Sequence, residues 1–146
     1  MLSKIIENTL NIIGVIGFVD YDNIGNLYNA AAIFQGNRLL EITYKTLLPT
    51  YDVFDEDRYF KSAKEEEIKP VTIENKGRIV KLGIEICEYL WDQKYETKVT
   101  ELLTKKGANI IFNISASPFY AGKRFERENL LKEKAIKNKV PMFYVN

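Results

Sequence analysis

Apolar residues in this chain come in short blocks, punctuated by glycine, asparagine and clusters of charge. The first block, residues 2–10 with Ile5, Ile6 and Leu10, predicts the end of a helix whose beginning lies outside the sequence. Residues 11–21 are rich in Ile and Val with small glycines between them, the pattern of a buried strand. A turn over 22–26 leads into a second strand, 27–35. Gly36-Asn37 then closes a two-residue hairpin into a third strand, 38–45, which ends on Lys45. Residues 47–60 hold neither a helical nor a strand period. They are aromatic, acidic and carry Pro49, which predicts a long ordered loop of the kind that often bears function. The charge run over 61–69 predicts a solvated surface segment.

The pattern then repeats once as a hairpin and changes character. Residues 71–74 and 78–86 pair around a turn at 75–77, and the apolar run of the second strand stops on Cys87, the only cysteine. Tyr95, Val99, Leu102 and Leu103 fall at i, i+4, i+7 and i+8, one face of a helix. Asp92 is placed to cap its start and Gly107 its end. A strand over 108–114, a loop over 115–123, a helix over 124–138 turning Leu131, Ala135 and Ile136 inward, and a strand over 140–145 complete the order. Repeats, low-complexity stretches and linkers are absent from the sequence. Two hairpins followed by strand–helix–strand–helix–strand predict an α/β fold, a mixed sheet with helices packed on it, as one domain over 1–146. Ligands in such sheets gather at the C-terminal ends of strands, and Lys45, Cys87 and Ser115 all stand at predicted strand ends.

Composition narrows the chemistry. The 146 residues suffice for one domain with a real core. Twenty-one Lys+Arg against 20 Asp+Glu leave a net charge of +1, so there is no electrostatic case for nucleic acid or an anionic membrane. The apolar runs are too short to span a bilayer. One unpaired cysteine and no export signal predict a reducing, cytoplasmic setting. The count of histidine is zero, which removes Ser-His-Asp and Cys-His catalysis and histidine-based zinc sites. Acid–base work must then fall to carboxylates, lysine or tyrosine. Cys87, at the end of a strand and before an expected helix N-terminus, suits a nucleophile, since that setting favours a thiolate. It equally suits a buried structural thiol.

Three separated segments carry a resemblance that bears on this choice. Lys45, Leu47-Leu48-Pro49-Thr50-Tyr51, Phe54-Asp55-Glu56 and Arg58-Tyr59-Phe60 make up the first. Gly83-Ile84-Glu85-Ile86-Cys87-Glu88 with Trp91 is the second, and Asn113-Ile114-Ser115-Ala116-Ser117-Pro118-Phe119 with Gly122-Lys123 and Arg127 the third. They resemble the lysine loop, nucleophile segment and substrate-side loop of the nitrilase, or carbon–nitrogen hydrolase, superfamily. More narrowly they look like the glutaminase domain of glutamine-dependent NAD synthetase. Tyr28-Asn29-Ala30 and Phe143-Tyr144-Val145-Asn146 match as well, so the resemblance runs in order along nearly the whole chain.

The resemblance implies a partial α-β-β-α sandwich and a Cys–Glu–Lys triad that needs no histidine. It makes Cys87 the nucleophile on the glutamine side-chain amide and Lys45 the triad lysine that steadies the oxyanion. Tyr51, Glu88, Ser117 and Lys123 fall on positions that hold glutamine, with Lys123 where arginine also occurs. Glu56 is either a solvated carboxylate or a partner that orients Lys45. No metal or cofactor is implied for this domain, since ATP and Mg would serve a synthetase domain that these residues do not include. Implied partners are glutamine, a NAD synthetase domain or chain, and further copies in a homo-oligomer. Two departures stand out: Tyr89 occupies the place of the usual aspartate, and the triad glutamate belongs to a segment ahead of everything seen here. The expectations are therefore a glutamine amidotransferase component of a ligase, incomplete in these residues, or a non-catalytic remnant acting by association. An amidase of another branch of the superfamily is the remaining alternative. Tyr59, Phe60 and Phe54 are expected to pack rather than bind.

Overall fold

A computed structural model describes residues 1–118 and 120–146, so Phe119 of the third segment lies outside the described residues. The chain divides into two compact units, Met1–Glu67 and Ile68–Asn146.

The first unit begins with the short helix α1 (Leu2–Glu7) and continues into β1 (Ile13–Tyr21), β2 (Leu27–Gln35) and β3 (Arg38–Tyr44). The three strands form an antiparallel sheet in the order β1-β2-β3, as two successive hairpins require. Its core is the middle strand: Ala30, Ala31, Ala32 and Ile33 have no accessible surface. Three consecutive alanines pointing to alternate faces show that both faces of β2 are covered closely, where larger side chains would not fit. The loop after Lys45 is held by backbone hydrogen bonds rather than by a regular element. Ala63 N–H donates to the Lys45 carbonyl at 3.1 Å and Lys61 N–H to that of Leu27 at 2.8 Å. The expected loop over 47–60 contains one 3-10 turn, Glu56–Arg58. The charge run is not wholly solvated, because Ala63 and Ile68 within it are buried. Tyr59, expected to pack, is exposed, with Arg58 5.7 Å from its ring.

The second unit holds β4 (Val71–Asn75), β5 (Arg78–Ile86), α2 (Val99–Lys105), β6 (Ile110–Ile114), α3 (Lys123–Asn138) and β7 (Met142–Val145). Its sheet is mixed, in the order β4-β5-β6-β7. The β4–β5 pair is antiparallel, and β5, β6 and β7 run parallel. The turn between β4 and β5 is Lys76-Gly77, both at positive φ, the geometry that matches hairpin twist. From Leu82 to Ile86 every residue of β5 is buried, as an inner strand of such a sheet demands.

Two expectations about the helices fail here. Helix α2 starts at Val99, and Asp92 does not cap it; the Asp92 carboxylate is 2.7 Å from Lys134 Nζ instead. The Lys98 ammonium draws the carbonyls of Asp92, Gln93 and Tyr95 around itself, which ends the preceding segment and keeps Tyr95 extended. Gly107 does close α2: its N–H donates to Thr104 O at 2.9 Å and Ala108 N–H to Leu103 O at 2.9 Å, a Schellman cap with φ +96 at the glycine. In α3, Ile136 is exposed, while Lys134 and Ala135 turn inward. The apolar residues alone mislead there because the inner face of α3 is partly cationic.

Candidate active site

Cys87 follows the last residue of β5 directly, at the C-terminal edge of the parallel strands, and is half-buried. Its φ is +45, in the left-handed region where a side chain bearing Cβ is strained. Such strain costs on the order of 1–3 kcal/mol and persists only where the surroundings enforce it. The chain continues as a 3-10 helix over Cys87–Lys94 that breaks at Trp91 (φ −99, ψ 28). The regular helix N-terminus expected behind the thiol is therefore a short 3-10 turn, which aligns few peptide dipoles.

Beneath this turn lies a polar cluster inside the apolar core. Glu85, two residues before the cysteine on β5, has no accessible surface. Thr100 Oγ1 on α2 donates to Glu85 Oε1 at 2.5 Å and Asn113 Nδ2 on β6 donates to Oε2 at 3.1 Å. The same Asn113 amide reaches the Cys87 carbonyl at 3.5 Å, and Ser115 Oγ donates to Asn113 Oδ1 at 2.8 Å. Burial pushes the Glu85 carboxyl above the ordinary glutamate range. The Thr100 and Asn113 hydrogen bonds and the Lys134 charge pull the other way, and Asp92 adds to the rise. Lys134 on α3 also donates to the Tyr89 carbonyl at 3.0 Å, so side chains from two elements, β6 and α3, grip the turn that carries the thiol.

The other sequence-derived positions of this unit fall into two groups. Lys123, at the start of α3, stands 3.7 Å above the Trp91 ring and 3.1 Å from Glu126. Burial draws its ammonium down, but Tyr120 and Glu126 outweigh that and leave its pKa raised, so it stays a cation. Through Trp91 it is brought to the same segment as Cys87. Ser117 instead sits in a hydrogen-bonded knot: Arg127 Nη2 donates to its Oγ at 2.9 Å, Tyr144 OH lies at 2.9 Å, and Asn146 Oδ1 accepts from its N–H at 2.8 Å. The Arg127 guanidinium lies 4.7 Å over the Tyr144 ring. Glu88 is only 3% exposed, and its carboxylate accepts from Tyr95 OH at 3.0 Å. Tyr89, the departure from the family pattern, is a core residue at 2% exposure.

In the first unit the lysine loop forms a constellation of its own. Lys45 is 1% exposed and its Nζ lies 2.8 Å from both carboxylate oxygens of Glu56. Asn29 Nδ2 donates to Glu56 Oε2 at 3.4 Å, and the Asn29 carbonyl accepts from Lys45 N–H at 2.8 Å. Glu56 is thus tied to the ammonium rather than solvated. Tyr51 is half-exposed in the same loop, edge-on to Phe54 with ring centroids 6.0 Å apart. No group of three His, Cys, Asp or Glu among the described residues is arranged to hold a metal ion, and no helix is long and apolar enough to cross a membrane.

Thr100 and Lys134 stand in none of the matching segments, and Asn29 enters only within the matching Tyr28-Asn29-Ala30 stretch, with no role assigned to it. Each has a signal in retrospect: Asn29 is polar inside an alanine-rich strand, and Thr100 and Lys134 are polar on helix faces otherwise turned inward. Glu85 has the strongest one, a carboxylate within an otherwise apolar strand end.

Residues 5–146 match the model of the carbon-nitrogen hydrolase family, and the chain belongs to that family. Among curated proteins it is similar to the glutamine-dependent NAD(+) synthetase of Thermotoga maritima, 38% identical over 148 residues that cover 99% of this chain and 24% of that protein. The corresponding Synechocystis enzyme is 39% identical over 127 residues, covering 82% and 22%. Among solved structures, the glutamine-dependent NAD+ synthetase of Acinetobacter baumannii in complex with ADP superposes with a TM-score of 0.83 at 29% identity, over 99% of this chain and 26% of that one. A carbon-nitrogen hydrolase of Helicobacter pylori shares the fold, with a TM-score of 0.79 at 21% identity over 98% and 48%. The chain therefore has the mixed α/β fold of the family and spans about a quarter of the length of the NAD synthetases it matches.

Proposed function

We propose that this chain carries the nucleophile and the oxyanion lysine of a glutamine amidohydrolase that feeds ammonia to NAD synthesis. The observation that carries the reading is Cys87: a lone thiol at the end of a parallel strand, held at positive φ, within a chain similar over nearly its full length to glutamine-dependent NAD synthetases. In the proposed reaction the Cys87 thiolate attacks the carboxamide carbon of glutamine. The C=O π electrons of the amide move onto oxygen, and the tetrahedral oxyanion forms. Collapse expels the nitrogen, which takes the proton that the general base removed from the thiol and leaves as ammonia, with a thioester left on Cys87. Water then adds to the thioester carbon, the C–S bond breaks, and glutamate departs with the thiol restored.

Lys45 is the proposed cation for the oxyanion. An ammonium has three N–H groups, and Glu56 engages it through two oxygens, which fixes its direction. Losing one such oxyanion donor typically costs about 3–4 kcal/mol in the barrier. Lys123 is the proposed holder of the substrate carboxylate, with Tyr51, Glu88 and Ser117 as further substrate contacts.

The resemblance supplies the general base from a glutamate that aligns with no residue of these 146. Glu85 does not replace it, because its two oxygens are held by Thr100 and Asn113 and burial favours the protonated form, which is no base. The 146-residue chain on its own is thus expected to release little or no ammonia from glutamine. Ammonia release should be measured alongside a Cys87→Ala control. Robust Cys87-dependent turnover would refute the missing-base reading. Addition of the matching upstream segment of a relative is the complementary test: no ammonia release even then would overturn the glutaminase proposal itself.

A further inference from the structure

The fully buried Glu85 has no part in the proposed chemistry, yet it occupies the centre of a polar network that touches the cysteine's own backbone. Resting on the reading of Cys87 as nucleophile, we infer that Glu85 is a positioning residue for Cys87, acting through the Asn113 amide. Asn113 Nδ2 stands between two acceptors, Glu85 Oε2 at 3.1 Å and the Cys87 carbonyl at 3.5 Å. An amide donates along fixed directions, so whatever orients Asn113 also sets the plane of the peptide that leaves Cys87. Glu85 orients it from one side and Ser115 Oγ, donating to Asn113 Oδ1 at 2.8 Å, from the other. Thr100 locks the second Glu85 oxygen to α2 at 2.5 Å, so the carboxyl cannot rotate away.

The position of strain supports this assignment. A residue with Cβ at φ +45 needs its surroundings to hold it there, and Cys87 is the residue whose carbonyl Asn113 reaches, with Glu85 behind Asn113. The groups facing Glu85 are Thr100 from α2, Asn113 from β6, Lys134 from α3 and Asp92 from the 3-10 segment. Lys134 and Asp92 already pair with each other at 2.7 Å, which leaves Glu85 with neutral hydrogen-bond donors rather than a salt bridge of its own. Burial accordingly favours its protonated form, and glutamine is a close substitute in shape and charge.

The test reads the thiol directly and needs no substrate, because Cys87 is the only cysteine in the chain. Rates of alkylation by iodoacetamide are measured against pH for the wild-type chain and for Glu85→Gln and Glu85→Leu, with circular dichroism to establish that each is folded. Glu85→Leu is expected to slow alkylation at the high-pH plateau about tenfold, the value of one lost hydrogen bond in rate. Glu85→Gln is expected to stay within about twofold of wild type, since it still presents an acceptor to Asn113. A folded Glu85→Leu chain with the wild-type profile overturns the inference, and so does a Gln variant as slow as the Leu variant. If Glu85→Leu does not fold, Thr100→Val takes its place: it keeps the volume but frees one carboxyl oxygen. A slowed plateau supports the inference and a wild-type profile overturns it. Failure here leaves the glutaminase reading standing. Conversely, absence of Cys87-dependent ammonia release with the upstream segment present would leave these alkylation rates unaffected.

Discussion

Glu85 and Lys45 are the charged residues with the least accessible surface, and the core accommodates them by different means. Lys45 is paired: Glu56 meets its ammonium with both oxygens, and Asn29 helps hold Glu56 in place. Removing one partner of a buried pair strands the other charge, so Glu56→Ala is expected to lower unfolding stability by about 2–4 kcal/mol, measured by urea denaturation. Glu56→Gln should cost less, because an amide oxygen still accepts from the ammonium. Glu85 has neutral hydrogen-bond partners instead, and burial favours its protonated form. Its carboxyl titrates above the ordinary value of 4.5 in the folded chain, so that state binds the proton more tightly than the unfolded chain does. The stability this contributes is complete below 4.5 and is lost as pH rises through the folded-state titration. Glu85→Gln cannot ionise, so its stability relative to wild type should grow as pH rises from 4.5 toward neutrality. Thermal melts at several pH values check this, and a constant difference between the two proteins would contradict it. At this scale the sequence displayed the odd residue, a glutamate among apolar neighbours, but not its partners. Thr100 and Asn113 lie 15 and 28 positions away in the chain, and only folding brings them to it.

Elements divide into those defined by local pattern and those defined by what they dock on. Strand β2 has the predicted bounds, Leu27–Gln35, because apolar residues and a two-residue turn are local signals. The end of α2 is local too. Gly107 at φ +96 completes its Schellman cap, and Gly107→Ala is expected to cost about 1 kcal/mol, read as a shift in the denaturation midpoint at unchanged slope. The start of α2 is not local. Asp92 carries the chemistry of a cap, but Lys134 from a helix some 42 positions later takes its carboxylate at 2.7 Å. A buried ion pair outcompetes an N-terminal cap worth roughly 1 kcal/mol. The facing of α3 follows the same contacts. Lys134 must point inward to reach Asp92 and the Tyr89 carbonyl, and with about 100° between successive residues this turns Ile136 outward.

The whole molecule is two units, each with its own sheet: the expected mixed sheet is that of the second unit, and two sheets agree with the two β layers that the resemblance implies. The sheets are separate because no hydrogen-bonded pair joins β3 to β4. Each sheet also has open edges among the described residues. β1 ends one sheet with Val19 and Tyr21 exposed, and β7 ends the other with Phe143 and Val145 exposed. Exposed apolar edge strands invite pairing with another chain. The 146-residue chain is therefore expected to self-associate with rising concentration, seen by sedimentation velocity, and Val19→Lys together with Val145→Lys should reduce it. A monodisperse monomer for the wild-type chain would refute this expectation.

The sequence by itself determined the order of strands and helices, the hairpins and their turns, and membership of the carbon–nitrogen hydrolase family, because these rest on near neighbours and on motifs read in line. It also marked Cys87 and Lys45 for attention. Tertiary structure decided the rest: which strands join which sheet, the turn behind Cys87 as 3-10 rather than α, the pairing of Lys45 with Glu56, and the cluster of Glu85, Thr100 and Asn113 beneath the thiol. The physical reason is the same throughout. A buried polar group must find its hydrogen bonds wherever the fold supplies them, and those partners come from elements far apart in the chain.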